Sequence, residues 1–264
     1  MKLFLCPNLY TDVQVVTARK CLRLFTESWH ARCALTPESA RIISAGADCC
    51  SFPPEEADYI LAIGGDGSVL RAAQTAVPAQ KPLIGINNGR LGFLCALPME
   101  SLWGSTPELW GRLALSRRSL LHFSQNGRDH FALNDITVVK SRFGETIELG
   151  VSSASTAARW IGDGIILSTP TGSTAYNHSA GGPIIAPDVP AFAATPICPH
   201  SRDASPMVLS DLSPIRIDLI RSPANTAEIF SDGAHTGDIT DHLLVDRNPL
   251  DLLLMVPAPE RSFS

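Results

Sequence analysis

The first hundred residues alternate short apolar runs with segments of helical character, and this alternation constrains the fold more than any other feature of the chain. Lys2 to Cys6, Tyr59 to Ile63 and Pro82 to Ile86 are apolar runs of strand length, with segments of helix-forming composition between them. Strands that alternate with helices build βα units, in which the strands pair in parallel and the helices cover the sheet. We therefore predict a parallel α/β sheet for this part of the chain.

The helices between these strands have signatures of their own. Thr36 followed by Pro37 predicts a helix start, because threonine caps a helix and proline suits its first turn. Ser68 to Ala76 predicts a helix that ends before Pro78. An earlier helix is predicted over Thr11 to Phe25, with these residues near one face: Val13, Val16, Cys21, Leu22 and Phe25.

From Ser119 onward the sequence pattern changes to β-branched, alternating segments separated by turns, which predicts an antiparallel β region. One helical piece, Ser173 to Ser179, interrupts it, and the apolar run Leu250 to Val256 predicts a covered strand that returns to the first domain. We therefore predict a first domain over residues 1–100, completed by about 245–264, and an all-β domain over 101–244. The β segments are ALNDITVVKS, ETIELGVSS, DGIILSTP, PIRIDLI, AEIFSDG and HLLVD.

Composition narrows the function classes. The 264 residues carry a formal net charge of -5 without a run of lysine or arginine, which argues against nucleic acid as a partner. The opening MKLFLCPNLY turns polar at Asn8, so it resembles neither a signal peptide nor a membrane span, and we expect a cytoplasmic protein. The seven cysteines form no CxxC pair, which predicts free thiols rather than disulfide or zinc frameworks.

A glycine-rich turn, Gly64 to Gly67, follows one strand and precedes a helix. Glycines there let backbone N–H groups approach a phosphate, and the helix N-terminus adds positive potential. Asp66 would repel that phosphate unless it accepts a proton or helps to hold a metal; alternatively it merely caps the helix. No lysine with Ser or Thr follows, so the turn is not a P-loop. The predicted phosphate-binding residues are Gly64, Gly65, Gly67 and Arg71.

A second candidate site is the run Gly162 to Asp188, GDGIILSTPTGSTAYNHSAGGPIIAPD. It combines a short strand, a turn on Pro170 and Gly172, and a helix start rich in hydroxyl groups. A plain capped helix does not need this clustering, which is typical of a binding loop. Hydroxyl donors, an aromatic face and close backbone approach are offered by Thr169, Thr171, Ser173, Thr174, Tyr176, Gly181 and Gly182.

Together these stretches resemble the NAD kinase family. The motifs GGDGS, GINNGRLGFL, LND at Leu133 to Asp135, TPTGSTAY followed by SAGGP, and ICPHS occur in the family's order over about residues 59 to 235. The resemblance implies a Rossmann-like N-terminal domain, an antiparallel β C-terminal domain and an NAD site between them. It further implies phosphoryl transfer from ATP or polyphosphate to the 2'-hydroxyl of the adenosine ribose of NAD, giving NADP, with a divalent metal such as Mg²⁺ and a homo-oligomeric assembly.

The resemblance also implies roles for individual residues. Asp66 would be the catalytic proton acceptor for the ribose 2'-hydroxyl, with Gly67 lining the same turn, and Phe93 would lie against the adenine. The adenosine portion would be bound by Asn134 and Asp135. The rest of the dinucleotide pocket would be lined by Asp163, Thr174, Ala175, Tyr176 and Ser179. No residue is assigned as a metal ligand.

Three positions depart from the family pattern. Ile161 stands where an arginine is common, although Arg159 is near, and Ala234 with His235 replaces a frequent glutamine. The family's C-terminal helix, which follows a segment like Ser262 and Phe263, is absent because the sequence stops at Ser264. These departures keep open the alternative of a non-catalytic NAD(P)-binding sensor. A second alternative, a lipid kinase, stays open because lipid kinases share the GGDG turn.

Other candidates have a functional and an ordinary interpretation. Arg71 and Arg90 flank the two glycine loops and either can reach a phosphate, yet exposed arginines near turns are common. His200 can touch a ligand, but a hydrogen-bonded structural histidine is the simpler interpretation. Trp103 and Trp110 lie seven apart, which favours core or interface packing.

Overall fold

The structure is a computed structural model that describes residues 1–44, 49, 52–89, 92–154, 156–201 and 204–258. In chain order its strands are β1 Lys2–Pro7, β2 Arg32–Leu35, β3 Tyr59–Gly64, β4 Leu83–Asn87, β5 Leu97–Pro98, β6 Leu113–Arg118, β7 Leu121–Gln125, β8 Arg128–Ala132, β9 Asp135–Lys140, β10 Ile147–Ser153, β11 Thr156–Gly162, β12 Gly164–Ser168, β13 Ala191–Ile197, β14 Met207–Ser210, β15 Ile215–Arg221, β16 Ala227–Ser231, β17 Ala234–Ile239, β18 His242–Arg247 and β19 Leu252–Pro257. The α-helices are α1 Asp12–Arg23, α2 Pro37–Ile42, α3 Asp66–Ala79 and α4 Tyr176–Ser179. Shorter helical segments of 3-10 or π type are Leu24–Ser28, Pro54–Glu56, Met99–Leu102, Pro107–Arg112 and Gly172–Thr174.

The chain forms two compact units, one of Met1–Arg117 with the segment that starts at Leu252, and one of Arg118–Asp251. The first unit therefore extends past residue 100, because β6 is the last strand of its sheet. The domain limits of 100 and 245 that we expected differ from these unit limits, and the domain assignment itself stays a prediction.

The first unit is built on a seven-stranded sheet of order β2-β1-β3-β4-β19-β6, with β5 beside β4. The pairs β1–β2, β1–β3, β3–β4 and β4–β19 are parallel. The predicted α/β sheet is thus confirmed, including the C-terminal apolar run as a strand of it. Because parallel strands share a carboxyl edge, the loops after β1, β3 and β4 leave the sheet on the same side.

Two helices of this unit differ from expectation. The buried residues of α1 are Ala18, Cys21 and Leu22, spaced i, i+3, i+4, whereas Val13 and Val16 are exposed. At 100° per residue these valines lie on the side opposite Ala18, so the predicted face was wrong for them. Helix α3 continues through Pro78 to Ala79, because a proline in the last turn costs a single helical hydrogen bond.

The second unit consists of two six-stranded sheets, ordered β11-β10-β15-β18-β7-β8 and β14-β13-β12-β9-β16-β17. Their strands pair antiparallel, as β9–β12 and β10–β15 illustrate, which confirms the predicted all-β region. One hydrophobic core takes side chains from both sheets, among them Phe123, Ile165 and Ile217. Strand β13 was not predicted, since every one of its residues is buried and it has no polar alternation.

Among the described residues, no helix combines the length and the apolar character that crossing a bilayer requires.

Candidate functional site

The glycine-rich turn lies where β3 passes into α3, at the carboxyl edge of the parallel sheet. Gly64 has φ +154°, and a Cβ there would collide with the hydroxyl of Ser68, so glycine is required. Gly65 is the N-cap position of α3, and Gly67 lies exposed in the first turn of the helix. The turn thus presents backbone at a helix N-terminus, as phosphate binding needs.

Asp66 is the first residue of α3, and its carboxylate bonds to the second glycine loop rather than capping its own helix. Oδ2 accepts a hydrogen bond from the backbone N–H of Phe93 at 2.8 Å, and Oδ1 accepts one from that of Leu94 at 3.1 Å. Gly92 leaves room for this arrangement, since a Cβ there would overlap the carboxylate. The structure therefore brings together the GGDG turn and the loop after β4.

The neighbours of Asp66 are unequally exposed. Phe93 presents its ring to solvent with 81% of its surface exposed, as a residue that receives a flat ligand would. Cys95 lies buried beneath the turn, and burial followed by the charge of Asp66 raises the pKa of its thiol to about 12. This thiol therefore stays protonated and acts as a packing group.

Arg71 stands one turn along α3 and is exposed. Its Nη2 donates to the hydroxyl of Ser68 at 3.2 Å, and its Cζ lies 5.3 Å from the centroid of the Tyr10 ring. The other arginine considered for phosphate, Arg90, lies outside the described residues.

In the second unit the LND segment is organised by a residue that our sequence analysis did not single out, Asp232. Its carboxylate accepts backbone hydrogen bonds from Leu133 at 2.8 Å, Asn134 at 2.7 Å and Asp135 at 3.2 Å. Asp232 adopts φ +48° in the turn between β16 and β17, a conformation that aspartate tolerates. The SDG letters of that turn were visible, but their partner is nearly one hundred positions away.

The side chain of Asp135 is buried and accepts a hydrogen bond from the Thr137 hydroxyl at 3.2 Å. Burial, and next the negative charge of Asp232, raise the pKa of Asp135 to about 6. Burial also raises the pKa of Asp232, against its three backbone hydrogen bonds. A carboxyl group poised near neutrality in this way is common at binding sites.

Part of the hydroxyl cluster has a structural role. Thr169 and Ser173 are fully buried: the Thr169 hydroxyl donates to Leu133 O at 2.5 Å, and Ser173 bridges to Ile185. Asn177, which we had not singled out, is also buried and donates to Ser173 O at 3.1 Å and Pro183 O at 2.9 Å. The expectation that Thr169 and Ser173 offer donors to a ligand was therefore wrong, because both hydroxyls hold the loop together.

The same loop leaves other predicted residues accessible. Thr174 and Ala175 are half-buried, while Tyr176 and Ser179 are exposed. The pKa of Tyr176 is raised by partial burial first, then by the charges of Cys198, Asp135 and Asp163. The roles that the family resemblance implies for these residues in the dinucleotide pocket stay predictions.

Asp163 has a cationic partner that the sequence analysis missed. Lys140 Nζ lies 2.6 Å from Asp163 Oδ1, and the Lys140 backbone N–H donates to Asp163 O at 3.0 Å. Asp163 in turn donates its own N–H to Ile197 O at 2.9 Å. The two backbone bonds place the main chain of Asp163 between strands β9 and β13, and the carboxylate pairs with Lys140.

Two departures from the family pattern, Ile161 and Ala234 with His235, lie on the surface. Ile161 is partly exposed, and nearby Arg159 pairs with Glu148. His235 lies 3.3 Å from Asp238. His200 is exposed. The structural role expected for its ring stays a prediction. Ser262 and Phe263 lie outside the described residues.

A divalent metal held by the protein needs a group of donor side chains. Within the described part of the chain, no three His, Cys, Asp or Glu side chains are grouped to hold a metal ion. Asp66 is therefore not part of such a group among those residues. A closed protein site for Mg²⁺ does not fit these residues.

Core packing, one of the two roles expected for Trp103 and Trp110, is observed for Trp110. Trp110 is buried against Trp29, with ring centroids 5.0 Å apart, whereas Trp103 is 45% exposed. Trp103 follows the 3-10 segment Met99–Leu102 and Trp110 lies within the segment Pro107–Arg112, so the two do not share one continuous helix.

A parallel sheet with a glycine-rich, carboxylate-bearing turn at its carboxyl edge, in a chain with a second, antiparallel unit, defines an α/β enzyme of the kind that handles phosphorylated nucleotides. Residues 5–107 match the ATP-NAD kinase N-terminal domain, and residues 133–245 match the ATP-NAD kinase C-terminal domain. The chain belongs to the NAD kinase family.

Individual relatives support this family assignment. The NAD kinase of Methanothermobacter thermautotrophicus is 36% identical over 207 residues, which cover 78% of this chain and 72% of the relative. The NAD kinase of Thiobacillus denitrificans is 37% identical over 211 residues, covering 76% and 72%. These relatives do not favour a lipid kinase or a non-catalytic sensor.

Solved structures share the fold. Yeast NADH kinase complexed with NADH superposes with a TM-score of 0.84 at 21% identity, covering 98% of this chain and 84% of that one. The NAD kinase from Archaeoglobus fulgidus in complex with ATP gives a TM-score of 0.75 at 23% identity, covering 99% and 95%.

Proposed function

We propose that the chain is an NAD kinase that transfers the terminal phosphoryl group of ATP to the 2'-hydroxyl of the adenosine ribose of NAD, giving NADP and ADP. Polyphosphate is the alternative donor. The single observation that supports this best is the carboxylate of Asp66, oriented by the N–H groups of Phe93 and Leu94 beside a phosphate-type turn.

Asp66 accepts the proton of the attacking hydroxyl in this proposal. Each carboxylate oxygen has two lone pairs and spends one on a backbone N–H, so the group is oriented and can still accept a proton. General-base assistance of this kind contributes about 10² to 10⁴ in rate. Positioning and charge neutralisation supply the remainder.

The donor phosphates are held by the N–H groups of Gly64, Gly65 and Gly67, by the N-terminus of α3 and by Arg71. An acidic protein needs such local positive potential for an anionic substrate. A divalent cation that arrives with ATP neutralises phosphate charge and is held mainly by the phosphates and water. No protein residue is assigned to it.

The dinucleotide is bound by Phe93 against the adenine and by Asn134 and Asp135 on the adenosine portion. Support comes from the exposed ring of Phe93 and from the ordering of LND by Asp232. The remaining pocket residues in this proposal are Asp163, Thr174, Ala175, Tyr176 and Ser179.

We further propose that the enzyme acts in the cytoplasm as a homo-oligomer and depends on a divalent metal. The oligomer and the metal are what the resemblance to the NAD kinase family implies. Size-exclusion chromatography with light scattering, and NADP formation with and without a chelator, test the assembly and the metal.

The decisive experiment is NADP formation from NAD with ATP, or with polyphosphate, in the presence of Mg²⁺. We expect Asp66→Asn to lower kcat at least about 100-fold. Asp12→Asn is the matched control, because Asp12 is also the first residue of a helix but is exposed at α1. Full activity in Asp66→Asn rejects the proton-acceptor role, and no NADP from any donor rejects the kinase.

A further inference from the structure

Tyr10 is an exposed aromatic residue whose position the proposed reaction does not yet explain. It follows β1 and has 78% of its surface exposed, so it contributes little to the core. Its ring faces the guanidinium of Arg71, with 5.3 Å between the ring centroid and Cζ. A guanidinium at this distance from an aromatic face is held by a cation–π interaction.

The loop that carries Tyr10 lies directly against the glycine-rich turn. The N–H of Asn8 donates to Ile63 O at 2.8 Å, next to Gly64. A Cβ built on Gly64 would lie 3.1 Å from the Cβ of Asn8. The loop after β1 is thus part of the wall around the turn.

A second contact links Arg71 to the turn itself, through Ser68. The hydroxyl of Ser68 fills the space that a side chain at Gly64 would need, and Ser68 is 3% exposed. That hydroxyl accepts the hydrogen bond from Arg71 Nη2 at 3.2 Å. Arg71 is therefore fixed at two points, by Ser68 and by the ring of Tyr10.

Both partners of Arg71 are neutral. Within the residues that the structure covers, no carboxylate forms an ion pair with its guanidinium. A guanidinium has five N–H donors in a rigid fork that matches phosphate, and the bond to Ser68 uses one of them. Its positive charge is oriented without being neutralised.

We propose that Tyr10 is a positioning residue that holds Arg71 over the glycine-rich turn to receive the phosphates of the phosphoryl donor. This inference rests on the proposed function. Tyr10 acts through its ring face, and its hydroxyl is dispensable. The device lowers the entropy that Arg71 loses when the donor binds.

Steady-state kinetics of three variants test the ring face. We expect Tyr10→Ala and Tyr10→Leu each to raise KM for ATP about 2- to 5-fold, the equivalent of an exposed cation–π contact. KM for NAD, kcat and the thermal midpoint stay unchanged, and Tyr10→Phe behaves like wild type. A Tyr10→Leu variant with wild-type KM, or equal rises in both KM values, overturns the proposal.

A double-mutant cycle tests whether Tyr10 acts through Arg71. Arg71→Ala raises KM for ATP, and adding Tyr10→Ala to it has no further effect. Independent, multiplying effects of the two substitutions overturn the positioning role.

Calorimetry with inorganic tripolyphosphate separates this inference from the proposed reaction. If wild type makes no NADP, the proposed function fails, yet a Kd for tripolyphosphate that rises about 2- to 5-fold in Tyr10→Ala still supports the role of Tyr10. Equal affinities in the two proteins, or no binding by wild type at millimolar tripolyphosphate, overturn it.

Discussion

The backbone N–H of Asp135 donates to the carboxylate of Asp232 at 3.2 Å, while the charge of Asp232 opposes ionisation of the Asp135 side chain. One aspartate thus orders the segment that carries the other and also raises its pKa. Both groups belong to the second unit.

Stability should depend on pH through Asp135. Its pKa of about 6 lies above the ordinary value of 3.8, so the folded state binds the proton more tightly than the unfolded chain does. The resulting stabilisation is fully present below about pH 4 and is lost as the pH rises through about 6. A shift of about two pKa units corresponds to about 3 kcal/mol.

Urea unfolding between pH 4.5 and 7.5 measures this effect. We expect the free energy of unfolding of Asp135→Asn to fall less with rising pH than that of wild type, because the amide does not ionise. Asp188→Asn, at an exposed position, should keep the wild-type slope. Parallel pH profiles for Asp135→Asn and wild type would contradict the assignment.

Asp232→Ala should disorder the LND segment. The substitution leaves the N–H groups of Leu133, Asn134 and Asp135 without their acceptor, which we expect to cost about 2–4 kcal/mol of unfolding free energy. KM for NAD should rise more than KM for ATP, as measured by NADP formation. Asp241→Ala, an exposed aspartate in a turn, serves as control, and equal stability of the two variants would reject the role.

The local sequence was sufficient to predict the turn around Asp66, since a strand, glycines and a helix follow one another within about twenty residues. It was insufficient for Asp232, whose hydrogen bond to Asn134 spans 98 positions. No property of the SDG letters alone specifies that partner. Long-range pairing of this kind depends on the strand order of the sheet, which the sequence pattern leaves undetermined.

The sequence also did not predict which side chains point into the core. Thr169 and Thr174 belong to one hydroxyl-rich loop, yet the first is buried and the second half-buried. Which hydroxyl points inward depends on where the loop packs against Leu133, a contact made only in the folded unit. Similarly, Val13 and Val16 were placed on the packing face of α1, because the sequence did not reveal that Ala18 marks its centre.

Gly92→Ala should impair catalysis without unfolding the protein. The added Cβ would overlap the Asp66 carboxylate and turn it away from the N–H groups of Phe93 and Leu94. We expect kcat to fall at least about 100-fold, like the loss of a general base. Gly89→Ala is the control from the same loop, because its Cβ would meet Asn87 Oδ1 at an ordinary 3.9 Å. Similar kcat values for the two variants would contradict this view.

Lys140→Met should weaken NAD binding selectively. Lys140 Nζ lies 2.6 Å from Asp163 Oδ1 and its side chain is 17% exposed, so its removal leaves a half-buried carboxylate without its cation. Asp163 then turns toward solvent, and we expect KM for NAD to rise about 3- to 10-fold, the equivalent of a partly buried ion pair. KM for ATP should stay within about twofold. Arg142→Met is the matched control, because Arg142 is exposed and pairs with Glu145 at only 3.9 Å. A common rise in KM for NAD in both variants would point to general surface charge, because Lys140 pairs with Asp163 whereas Arg142 pairs with Glu145.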